Sequence, residues 1–278
     1  MFALIRTRLC VTANPVERIL RHVFLTRGII FEITNALGVR ALECTVDIYK
    51  GEDSKKTLAR CDKALSLIVS NGIRTVVAAE DFPVADLNGS YKLSLPDVRK
   101  LWRKTAGKIA LSISGEDAKS LSVALYANRV NAELDGAVRY LLPRTRHLAI
   151  FCEGRGEIYV KELLREFGIA VQTTNSAAAT ADIHLLFDPP SEHLELKQSA
   201  IAVKLFLDDK SEPFPYRTIS DVQYRWPDNL PRINGYPCNL ILAALSETGA
   251  IRADELDIER IWFAENRSSK GALETGDI

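Results

Sequence analysis

The stretch Leu148-Ala149-Ile150-Phe151-Cys152-Glu153-Gly154-Arg155-Gly156-Glu157-Ile158-Tyr159 has a spacing that suits anion chemistry. A run of strand length delivers two glycines one residue apart, and a helical pattern starts directly after them. Glycine permits a sharp turn and a close approach of main chain to a ligand, and the first turn of a helix offers unpaired N–H donors. Gly154, Arg155, Gly156 and Glu157 are therefore candidates for holding a phosphate-bearing ligand. Thr174 and Asn175, after the next strand, and Asp188, at the end of the one beyond, would open on the same edge of a parallel sheet. Asp208 and Asp209 follow a further strand, and Glu80 and Asp81 follow one in the first half. Gathered carboxylates could hold a metal or act as acid and base; their plainer role is to open loops and cap helices.

Other chemistries lack their residues. His22, His147, His184 and His193 form no i, i+4 pair and no zinc-binding spacing. Ser112, Ser114 and Ser122 sit in no Gly-x-Ser-x-Gly elbow, and no Gly-x-x-x-x-Gly-Lys-Ser/Thr loop occurs. The five cysteines include no Cys-x-x-Cys and suit small buried side chains in a reducing compartment. Among 278 residues, 36 basic side chains balance 36 acidic ones, which argues against nucleic acid as a partner. The apolar runs are too short for a membrane span and no leader peptide is evident, so a soluble cytoplasmic protein is expected.

The elements that must position these residues follow from periodicity. Phe2–Leu9, Ile29–Thr34 and Leu42–Ile48 have strand patterns, the last with Glu43, Thr45 and Asp47 on a wet face. Asn14-Pro15-Val16-Glu17 starts a helix reaching Phe24. A second helix spans Ser54 to Asn71, with Leu58, Cys61, Leu65 and Ile68 inward, and Ile73–Ala79 follows as a buried strand. A short helix carries Leu101 and Trp102, and Lys108–Ser114 has the look of a strand. Leu121, Leu125, Val130, Leu134, Val138 and Leu141 predict one long helix over Glu116–Leu142. Strands are then expected at His147–Cys152, Ile169–Thr173, Ala181–Phe187 and Ile201–Leu207, with helices at Glu157–Phe167, Leu240–Leu245 and Asp254–Trp262. The expected fold class is α/β with two lobes, the C-terminal one carrying a mainly parallel sheet. Its boundaries are 1–143, ending in the long bridging helix, 144–265, and a polar tail 266–278. One continuous α/β domain is the alternative.

Residues 148–190 resemble the Rossmann-type dinucleotide-binding family through the Gly154-Arg155-Gly156 turn and the strand and loop Ala181–Pro190. An α/β domain ahead of such a unit is also the layout of shikimate-dehydrogenase-like enzymes, none of whose catalytic residues is matched. The resemblance implies NAD or NADP at Gly154, Arg155, Gly156, Glu157, Thr174, Asn175 and Asp188. The chain departs from the family in three ways. Tyr159 stands at the third glycine position, Glu153 and Glu157 would repel a pyrophosphate, and Gln172-Thr173-Thr174-Asn175 supplies no acidic ribose ligand. Two functional readings therefore stand together. One is a non-catalytic scaffold or regulatory protein, with a protein partner, on a degenerate Rossmann-like frame. The other is an NAD(P)-dependent oxidoreductase, or another small-molecule binder, with its site between the lobes. No membrane partner is expected.

Overall fold

The computed structural model describes residues 1–10, 28–36, 39–115, 120–153, 155–173, 180–190, 196–207, 216–230 and 232–264. The helix expected at Asn14–Phe24 and the polar tail lie outside the described residues. The chain divides into two compact units, Met1–Val98 with Trp226–Glu255, and Arg99–Arg225 with Leu256–Ile278. The division thus differs from a boundary near residue 144, because the strands on either side of that point are neighbours in one sheet.

The first unit holds a four-stranded sheet. β1 (Phe2–Cys10) pairs in parallel with β3 (Val39–Tyr49) and with the short β4 (Val76–Ala78), and β2 (Ile29–Ala36) runs antiparallel to β3. α1 (Ser54–Ser70) starts where the Asp53 carboxylate accepts the Lys55 N–H at 3.0 Å. It lays Cys61, Ala64, Leu65 and Ile68 against Ala3, Ile5, Cys44 and Val46. Leu58, expected inward, is instead exposed. The wet face expected on β3 is also corrected, since Thr45 and Asp47 are buried there. β1 places Arg6 and Arg8 beside them, and the Arg8 guanidinium reaches Asp47 at 2.8 Å. α2 (Val84–Tyr91) follows β4, and α7 (Cys238–Glu247) returns to this unit with Ile241, Leu242 and Leu245 buried.

The second unit contains α3 (Val98–Lys104, bar its first residue), α4 (Ala106–Ser114), β5 (Ser122–Ala127), α5 (Ala132–Leu141), β6 (His147–Cys152), α6 (Gly156–Phe167), β7 (Ile183–Leu186), β8 (Ile201–Lys204), β9 (Arg217–Tyr224) and β10 (Ile258–Phe263). Its six-stranded sheet has the order β10-β9-β8-β7-β5-β6. All neighbours are parallel except the β9–β10 pair. Gln172 adds a parallel bridge outside β6, with the Ile150 N–H donating to its carbonyl at 2.9 Å.

Three expectations fail here. The long helix over Glu116–Leu142 is the strand β5, a turn, and α5. β5 is buried on both faces, with Val123, Ala124 and Leu125 inaccessible, so its apolar run lacks the alternation that marks a strand. Lys108–Ser114 is helical, not extended, and Gly107 brings α4 close to α5. A Cβ at Gly107 would lie 2.8 Å from the Tyr140 ring and 3.3 Å from the Ala137 carbonyl. Asp254–Trp262 is largely the edge strand β10, preceded by a 3₁₀ turn. Among the described residues no helix is long and apolar enough to cross a membrane.

His184 on β7 is fully buried beside Tyr126, with Nε2 donating to the Ala181 carbonyl at 3.1 Å. Burial pushes its imidazole from 6.5 down to about 4, against the opposing pull of that carbonyl and of Asp182. The unfolded chain takes up this proton below 6.5 and the folded chain only near 4, so stability is complete above 6.5 and is lost as pH falls toward 4. Urea midpoints measured between about pH 7 and about pH 4 should show an acid loss that His184→Phe reduces by about 3 kcal/mol.

Candidate functional site

Taken in chain order within the second unit, the parallel strands run third, second, first, fourth, fifth and sixth across the sheet when Gln172 is counted as the third. The order reverses between β5 and β7, and in open sheets of this kind a crevice opens outside the carboxyl ends of the strands at that reversal. The turn that fronts it follows β5. It comprises Asn128, Arg129, Val130 and Asn131, with no glycine. The glycine pair singled out from the sequence follows β6 instead, the second strand of the order.

Local chemistry explains how the β5 turn holds its shape. Asn131 is extended (φ −135°, ψ 172°), and its side chain accepts the Leu134 N–H at 2.8 Å, capping α5. Glu133 and Asp135 occupy the first turn of α5, where the helix dipole favours negative charge. The Asn128 N–H donates at 2.9 Å to the carboxylate of Asp188, which lies two residues beyond β7. Arg103, on α3, donates to Glu133 and to the Phe187 carbonyl, and its guanidinium lies 3.6 Å from Asp188. A donor that could meet a phosphate oxygen is thus satisfied by the chain's own carboxylate.

Of the expected site residues, Arg155 is the residue before α6 and makes no side-chain cap, Gly156 is the buried first residue of α6, and Glu157 is exposed in its first turn. Gly154, Thr174 and Asn175, with Asp208 and Asp209, lie outside the described residues. Asp188 and Glu153 both act on Cys152, whose thiol is pushed up first by burial and then by these two carboxylates. Tyr159 is buried, and its hydroxyl donates to Asp135 at 2.7 Å, tying α6 to α5. Asp135 also pairs with Arg139 at 2.8 Å, and Arg139 reaches Glu166 on α6. Asp81 accepts a hydrogen bond from the Thr7 hydroxyl within the first unit. Among the described residues no group of three His, Cys, Asp or Glu side chains could hold a metal ion.

Sequence reasoning missed Arg103, Asn128, Asn131 and Glu133. The Asn131 cap, three residues before Leu134, was a usable signal; the Arg103 contacts depend on tertiary packing alone.

The second unit is a doubly wound, Rossmann-like α/β fold with a mainly parallel sheet. No family model matches the chain, and no curated protein does. Among solved structures, it is similar to the Δ(1)-pyrroline-2-carboxylate reductase of Thermococcus litoralis in complex with NADH and L-proline. That match has 9% identity and a TM-score of 0.29 over 38% of this chain and 35% of the other. It is similar too to the L-tryptophan dehydrogenase of Nostoc punctiforme, at 13% identity and a TM-score of 0.31 over 72% of this chain and 62% of that one. For the shikimate dehydrogenase of Aquifex aeolicus the values are 10% and 0.29, over 73% and 78%. The chain therefore spans well under two thirds of the reductase and slightly under two thirds of the tryptophan dehydrogenase. Such low scores leave the class resting on strand order.

A Cβ added at Gly156 would lie 3.1 Å from the Cys152 Cβ. Gly156→Ala is thus expected to lower stability by about 1 kcal/mol, measured by urea unfolding, as the turn between β6 and α6 gives way.

Proposed function

We propose that the Arg99–Arg225 unit binds a nicotinamide dinucleotide along the carboxyl edge of β5, β6 and β7, and that the chain is an NAD(P)-dependent oxidoreductase. The supporting observation is the strand order, with its reversal between β5 and β7. Glu153, directly after β6, stands where this fold places the acidic partner of a ribose hydroxyl, and Arg155 beside it offers a cation to a ribose phosphate. The cofactor, when bound, supplies hydride chemistry. This chain's residues bind and orient it.

The fit is uneven. The β6 end suits a ribose. The β5 turn suits a pyrophosphate only when Asp188 releases the Asn128 N–H, which would also leave Arg103 to meet the incoming charge. Asp188 is thereby a competitor carried by the chain itself. A second reading, the non-catalytic scaffold, draws on the same bond: a turn already satisfied by Asp188 needs no ligand.

Calorimetric titration with NADH and with NADPH separates the two. The oxidoreductase reading expects saturable binding by the wild type, strengthened about tenfold or more in Asp188→Ala, the scale of a charge-assisted hydrogen bond no longer opposing the ligand. No heat with either dinucleotide, from the wild type or the variant, would leave the scaffold.

A further inference from the structure

We infer that the second unit carries another ligand site, separate from the carboxyl edge of β5, β6 and β7, that takes a small organic anion. A cavity of about 410 Å³ lies against α4, the last turn of α5, the residue after β9 and the start of β10. That volume falls in the range of small-molecule sites, roughly 300–1,000 Å³. Its chemistry is uneven in a useful way. Leu111 and Ile258 give it an apolar part, Tyr140 and Ser112 add hydroxyls, and Lys108 and Arg225 add two cations against the single carboxylate of Asp257.

The two cations are held differently. The Lys108 ammonium donates to the Leu256 carbonyl at 2.8 Å and lies 3.6 Å from Asp257, so its position is fixed and its charge partly balanced. Arg225 is anchored through its backbone, whose N–H donates to the Asp257 carbonyl at 2.8 Å. Among the described residues its guanidinium has no ion-pair partner. A guanidinium forks onto a carboxylate or phosphate with two parallel N–H donors, which an ammonium does not match. The Tyr140 ring is kept in place by the Arg144 guanidinium over it at 4.2 Å and by the α4 backbone at Gly107. The ligand that this arrangement recognises has an anionic head for Arg225 and Lys108 and a small apolar or aromatic body for Leu111, Tyr140 and Ile258. The lining of this cavity does not include Asn128, Glu153 or Asp188, so its test does not depend on whether a dinucleotide binds.

The test uses the full chain and three probes of one shape: benzoate, phenyl phosphate and benzylamine. Saturable binding of benzoate, of phenyl phosphate or of both is expected by calorimetry, the better one identifying the head group, with no saturation by benzylamine. Arg225→Gln should weaken the anion about tenfold or more, while Arg225→Lys retains part of the affinity. Arg225 is exposed, so both variants should keep the wild-type thermal midpoint, and loss of binding would not reflect unfolding. Absence of saturable binding by both anions, equal anion affinity in Arg225→Gln, or benzylamine bound as tightly as benzoate would each overturn the site.

Discussion

The hydrogen bond from the Asn128 N–H to the Asp188 carboxylate is the constraint that closes the turn after β5, where the strand order of the second unit reverses. Parallel strands part company where their order reverses, and the main-chain donors after the first strand then face a crevice that water or a ligand must fill. Here Asp188 reaches across from the end of β7 to the end of β5 and supplies the acceptor. Its charge is answered by Arg103, which also engages Glu133 in the first turn of α5. With Asn131 capping the same helix, the needs of this corner for negative charge and acceptors are met from within. That accounts for a turn without glycine, since its main chain has no ligand to approach closely while Asp188 stays in place.

A second set of charges fixes α5 against α6. Asp135 accepts from Tyr159 and from Arg139, and Arg139 extends to Glu166. Burial, followed by the Asp135 carboxylate, raises the Tyr159 hydroxyl well above its ordinary value, so it remains a donor. A large aromatic residue at that position is a link between two helices on one face of the sheet. Its bulk is accommodated because β6 is second in the strand order and the turn before α6 does not have to cradle a pyrophosphate.

Much of this architecture was legible from residue patterns. β1, β2, α1, β6, α6 and α7 carry periodicity that local reasoning recovers, as in the stripe Cys61, Leu65 and Ile68 on α1. The central strand did not announce itself. Ser122–Ala127 is apolar on both faces, and with Leu121, Leu134 and Val138 on either side of the turn it mimics one continuous helical stripe. Missing β5 moved the first strand of the order to β6 and shifted attention to Gly154 and Gly156. Asp188 was legible as a residue at the carboxyl edge, but its partner was not, because the Asn128 N–H belongs to the main chain and leaves no mark in side-chain types. Arg103 was equally hidden, its partners lying 30 and 85 residues along the chain.

Amide hydrogen exchange at Asn128 tests the central interaction most directly. With Asp188 as its acceptor, the Asn128 N–H exchanges slowly in the wild type and about tenfold faster in Asp188→Ala, while the amides of β5 keep their protection. Equal exchange at Asn128 in the two proteins would contradict the account, because the turn after β5 would then be held by something other than Asp188.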